Sequence, residues 1–160
     1  MKIASLIICL LFFVSCNQQS STENFQSQID SLKLQFNKSY KPGFGEFMSS
    51  IQIHHEKLWF AGQNKNWKLA DFEVNEINEA LQGIRDYCNE RPEVKSLAMI
   101  NPAIDSINTS IQQQNITSFK NSFILLTTTC NNCHKATQHE FNVIKLPKTP
   151  PFSNQEFKAP

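Results

Sequence analysis

The chain has 160 residues, with 15 Lys and Arg against 14 Asp and Glu and a formal net charge of +1. So even a balance, with no basic run, excludes an electrostatic nucleic-acid surface. Four glycines and few alternating β-branched stretches point away from β-structure, and the length suits one domain with a real core.

Met1-Lys2 is a basic start, and Ile3 to Val14 is a mostly apolar run too short for a settled membrane span. Residues 1–15 therefore read as a secretion signal. Phe13-Val14-Ser15-Cys16 resembles a bacterial lipobox, with Phe13 where leucine is usual. That resemblance implies lipidation of Cys16 and a protein anchored in the bacterial envelope, facing the periplasm or the cell surface. An ordinary signal peptide cut nearby is the alternative. Residues 16–24 are polar and read as a tether. Phe25, Ile29, Leu32 and Phe36 follow spacings of four, three and four, which predicts a short amphipathic helix or an arm over 25–42. Lys41-Pro42-Gly43 ends it.

Helix one is expected from Phe44 to about Asn64, with Phe44, Met48, Ile51, His55, Leu58 and Gly62 on its seam. Gly62 is expected to help end it. His54 falls off the seam, toward solvent. Helix two starts near Asn66 and repeats the spacing at Ala70, Val74, Ile77, Leu81, Ile84 and Cys88. Asp71 and Glu73 suit its dipole. Residues 92–100 have room for a short helical turn. Asn101-Pro102 reads as the start of helix three, with Ile104, Ile107 and Ile111 inward. Helix four is expected from about Thr117 to Phe141, with Phe119, Phe123, Leu126, Cys130, Cys133 and Thr137 on its seam. Residues 143–160 contain Pro147, Pro150 and Pro151 and read as an extended tail, with Phe152 and Phe157 able to pin it. The whole predicts an all-α, antiparallel four-helix bundle over 43–142.

Cys130-Asn131-Asn132-Cys133-His134 carries the chemistry. The C-x-x-C-H spacing is that of c-type haem attachment: two thiols form thioethers to the porphyrin, and the adjacent His134 is the axial iron ligand. Other readings stay open. They are a thioredoxin-like redox pair, half of a zinc site with His134 and His139, and a Cys130–Cys133 disulfide in a non-haem lipoprotein. Both cysteines are in phase with the apolar stripe of their helix, so a haem here enters the bundle interior. Cys9 leaves with the signal, and Cys88 remains as a single thiol that is either buried or a link between subunits.

With the motif on the last helix and no methionine after it, the segment 44–141 resembles the class II c-type cytochromes, the cytochrome c-prime group. The resemblance implies one covalent haem c in a four-helix bundle, and a homodimer surface on helices one and two. It also implies a basic partner for a haem propionate shortly after the histidine. Here Lys135 follows at once and His139 lies five residues on.

Function then turns on the far side of the iron. If His134 lies about seven residues before the end of helix four (~10 Å), the matching level of helix one holds Met48 or Ile51, with His55 farther along at ~16 Å. Met48 is the candidate thioether ligand, Ile51 would cap an open iron, and His55 is the alternative imidazole ligand. Met48 ligation implies a non-enzymatic electron carrier serving redox partner proteins in the envelope. An open site implies a gas-binding or gas-sensing protein.

Overall fold

The computed structural model describes residues 19–39 and 42–160; over these the protein is all-helical, with five α-helices, one 3-10 helix and no strand. The proposed signal 1–15, Cys16 and the start of the tether lie outside the described residues. Among the described residues no helix is long and apolar enough to cross a membrane.

The described residues divide into two compact units, one holding 19–39 and the other 42–160. The first contains α1 (Gln19–Ser39). It starts ahead of Phe25, so residues 19–24 of the expected tether are helical. Side-chain bonds one turn apart support this polar stretch: Gln28 Nε2 to Asn24 Oδ1 at 3.2 Å and Gln26 Nε2 to Asp30 Oδ1 at 3.0 Å. Phe25, Ile29 and Leu32 are exposed.

The second unit contains α2 (Phe44–Gln63), α3 (Trp67–Tyr87), a 3-10 helix (Pro92–Ile100), α4 (Asn101–Gln112) and α5 (Ile116–Ala136). The tail is part of this unit. Helix α2 packs on α3, α3 on α4, α4 on α5 and α5 on α2, while the 3-10 helix lies against α3, α4 and α5. The starts follow local chemistry. The Asn66 side chain accepts the Leu69 N–H, and that of Asn115 accepts the N–H groups of Thr117 and Ser118. The expected seams are buried throughout α3 and α4, including Cys88, whose thiol reaches the Pro42 carbonyl at 3.6 Å. A buried thiol is not available to link subunits.

The helix ends depart from expectation. Lys65, Gln114 and Gln138 take left-handed φ values of 56°, 51° and 63°. Each is followed by a residue whose N–H returns to the carbonyl five back: Asn66 to Ala61, Asn115 to Ser110 and His139 to His134. Three helices thus end on the same backbone closure without a glycine. Gly62 has no positive φ and sits inside α2. A Cβ on it would overlap the Phe119 ring, so it is there to let α5 come close. Gly83 does the same for Phe47.

Helix α5 stops at Ala136, not Phe141. Besides the closure at Gln138, the Thr137 hydroxyl donates to the Cys133 carbonyl at 2.9 Å, which caps the last turn. The tail then crosses back. Phe157 is buried against Phe60, Asn66 Nδ2 donates to the Lys158 carbonyl, and Lys57 lies over the Phe152 ring.

His54 and Glu73 also differ from the sequence reading. Glu73 is fully buried, and His54 Nδ1–H donates to its Oε2 at 2.6 Å across the α2–α3 contact. The other carboxylate oxygen, Oε1, lies 4.0 Å from Lys57 Nζ and has no hydrogen-bond partner among the described residues. Neither residue serves solvent or dipole alone. They form a polar bridge inside the helix pair.

Candidate functional site

A cavity of about 300 Å³ opens between the start of α2, the 3-10 helix and the end of α5. Its walls include Met48, Ile51 and His55 from α2, Cys130, Cys133 and His134 from α5, and Leu81, Leu97 and Ile100. The six residues singled out from the sequence as attachment points, axial ligand or distal neighbours therefore share one cavity. A second lobe of about 310 Å³ shares Gly45, Met48, Leu97, Cys133, His134 and Asn142 with the first, and adds Arg91, Glu93, Thr137 and His139.

The geometry of His134 is set by its hydrogen bond. Nδ1 lies 2.6 Å from the Asn142 carbonyl oxygen. A carbonyl only accepts, so Nδ1 carries the proton and the neutral ring keeps its lone pair on Nε2. That is the tautomer a metal-binding histidine needs. Early termination of α5 makes this possible, because only a chain that turns back after Ala136 can bring Asn142 over the ring.

Cys130 and Cys133 lie three residues apart on one helix face, both as free thiols. Removal from water pushes the Cys130 thiol up to about 12, with the neighbouring Cys133 adding to the effect, and burial also raises Cys133. A thioredoxin-like pair relies on the opposite shift and on a βαβ frame. Among the described residues no strand exists and no group of three or more His, Cys, Asp or Glu side chains converges on a metal-sized site. His139, the fourth ligand of the zinc reading, instead gives its Nδ1–H to the Thr137 carbonyl at 2.7 Å.

His55 closes the deep end. It is buried, its ring lies 4.4 Å from that of Phe123, and burial pushes its pKa down to about 4. Thr127 Oγ1 donates to the Phe123 carbonyl, so it accepts from His55 Nε2–H at 2.9 Å. His55 is thus a neutral ring with one nitrogen already engaged.

The premise that His134 lies seven residues from the end of its helix does not hold, since α5 runs only two residues past it. The cavity walls supply a direct comparison. Met48 borders both lobes with His134, whereas Ile51 and His55 border only the first.

In the second lobe Arg91 is bidentate to Glu93, at 2.7 and 3.2 Å, and lies over the Phe44 ring. Arg91 and His139 both line this lobe, while Lys135 is exposed on the last turn of α5. Sequence reasoning missed Arg91, Thr127, Asn131, Asn142 and Ile144. A cation in the gap before Pro92 was a signal for the first. The others become visible only when the chain is seen to fold back.

No family model, curated protein or solved structure matches the chain.

Proposed function

We propose that the protein is a monohaem c-type cytochrome that transfers single electrons, built as an antiparallel four-helix bundle from α2 to α5. The observation that carries this reading is the shared cavity. Two thiols, an imidazole with its Nε2 lone pair free and a thioether border one largely apolar space between the first and last helices of the unit. These donors fit haem c: Cys130 and Cys133 as attachment points, His134 as axial ligand. Bound there, the haem would accept one electron on going from ferric to ferrous and give one up on return.

The residues of the chain supply orientation and exclusion of water. The Asn142 carbonyl holds His134 by Nδ1. Leu81, Leu97 and Ile100 provide apolar walls, and Glu93 holds the Arg91 guanidinium at the side of the second lobe. Met48 is the proposed distal ligand. In an antiparallel pair, the His55–Thr127 bond fixes the register of α2 on α5. Seven residues back from His55 is Met48, and seven on from Thr127 is His134, each about 10 Å along its helix. The same register holds His55 about 10 Å deeper than His134, as part of the cavity floor. Lipidation at Cys16 would tether the domain to the envelope membrane, where it would meet its redox partners.

The test is the absorption spectrum of protein matured in a host that attaches haem c, ferric and then ferrous, before and after carbon monoxide. Covalent haem, lost in Cys130→Ala, and a low-spin spectrum with a methionine-to-iron band, lost in Met48→Ala, are expected. A high-spin spectrum that shifts at once with carbon monoxide would make the site gas-binding. No haem at all would return the motif to the disulfide reading.

A further inference from the structure

We propose that Asn131, a variable residue of the Cys130–His134 motif, is the positioning residue for the His134 imidazole. This rests on the haem reading of the site. Asn131 grips the returning chain by both backbone groups of one residue: Nδ2 donates to the Ile144 carbonyl at 2.9 Å, and Oδ1 accepts the Ile144 N–H at 2.8 Å. Two residues earlier, the Asn142 carbonyl takes the His134 Nδ1–H at 2.6 Å. Asn131 and His134 are three apart on α5, hence neighbours on one face. One helix face therefore holds the segment at two points, and the first fixes the carbonyl that the second uses.

The arrangement has a chemical consequence. Asn142 is exposed, so water competes for the same imidazole proton. A fixed carbonyl outcompetes it, orients the ring and increases electron donation from Nε2, which favours the ferric over the ferrous iron. The attachment spacing needs the two thiols and the histidine; nothing in it requires an amide at 131. The side chain is explained by the returning tail. Its effect reaches the iron only through Ile144, Asn142 and His134.

Full-chain holoprotein, wild type and variants, is compared by covalent haem content, reduction potential and amide exchange at Ile144. In Asn131→Ala the haem content is expected to stay full and Ile144 to exchange faster. The ferric preference is expected to fall about tenfold, a rise of ~59 mV for one electron. Asn131→Gln keeps both amide groups and adds no charge, so its exchange and its potential are expected to change less than those of the alanine variant. An unchanged potential with faster exchange in Asn131→Ala overturns the proposal, leaving Asn131 as a tail fastener only. If the alanine variant does not fold, faster exchange at Ile144 with an unchanged potential in Asn131→Gln has the same force. Wild-type protein without haem overturns the site reading itself, and that result precedes any variant.

Discussion

Helices α2 and α5 meet in two ways along their length. Toward the end of α2 and the start of α5, Trp59, Phe119 and Phe123 pack ring on ring, with Trp67 edge-on to Phe119 and Gly62 beneath it. Toward the other end, Gly45, Met48, Cys130 and Cys133 border open space. The seam keeps its spacing through both halves. Side-chain volume changes, from large rings that touch to small or flexible groups that do not fill the gap. Periodicity tells which face is inward, and size along that face tells where a ligand can enter.

The largest contrast is expected from truncation. Phe119→Ala at the filled end should cost about 3–5 kcal/mol in chemical denaturation, because a fully buried ring leaves a cavity. Met48→Ala should cost the haem-free protein less than half of that, since its side chain already borders a void. Equal losses would break the distinction between the two halves.

His55 stands at their boundary, and its pH dependence sharpens the comparison. Its folded-state pKa of about 4 lies below the 6.5 of the unfolded chain. As pH falls below ~6.5 the unfolded imidazole binds a proton that the folded one refuses, so stability falls with pH and the loss is complete near 4. The difference corresponds to about 3 kcal/mol. Denaturation midpoints of haem-free protein between pH 7.5 and 4 should show this decline, and His55→Gln should flatten it. An unchanged slope in that variant would put the titration elsewhere.

The smallest expected effects are of opposite sign. Gly62→Ala forces a methyl group into the Phe119 ring and should cost about 1–3 kcal/mol. A Cβ at Gly45 meets nothing within 4 Å, so Gly45→Ala should stabilise the haem-free protein by up to about 1 kcal/mol through helix propensity. Thermal unfolding of the two variants side by side checks both signs. A destabilised Gly45→Ala would mean that the cavity end is closed.

Much of the architecture was legible in the residues. Seams at three- and four-residue spacing marked the helices, Asn66 marked a start, and Asn101-Pro102 coincided with the onset of α4. The phase of Cys130 and Cys133 with Phe119, Phe123 and Leu126 directed the two thiols inward, and both border the cavity. These are local properties: a helical period and a fixed spacing depend only on neighbours in sequence.

Other features needed the folded chain. The end of α5 at Ala136 depends on Gln138 taking a left-handed conformation that a glutamine does not advertise. Burial of Glu73 depends on His54, which lies on another helix. The tautomer of His134 depends on a carbonyl eight residues on, and that carbonyl's position depends on a two-point grip by Asn131. The sequence by itself determined the helical class, the inward faces and the identity of the reactive groups. Only tertiary structure decided which groups share a cavity, which nitrogen keeps its lone pair and which half of a seam stays open. The physical reason is that hydrogen-bond partners and packing volumes belong to pairs of distant residues, and no single stretch of chain contains both members.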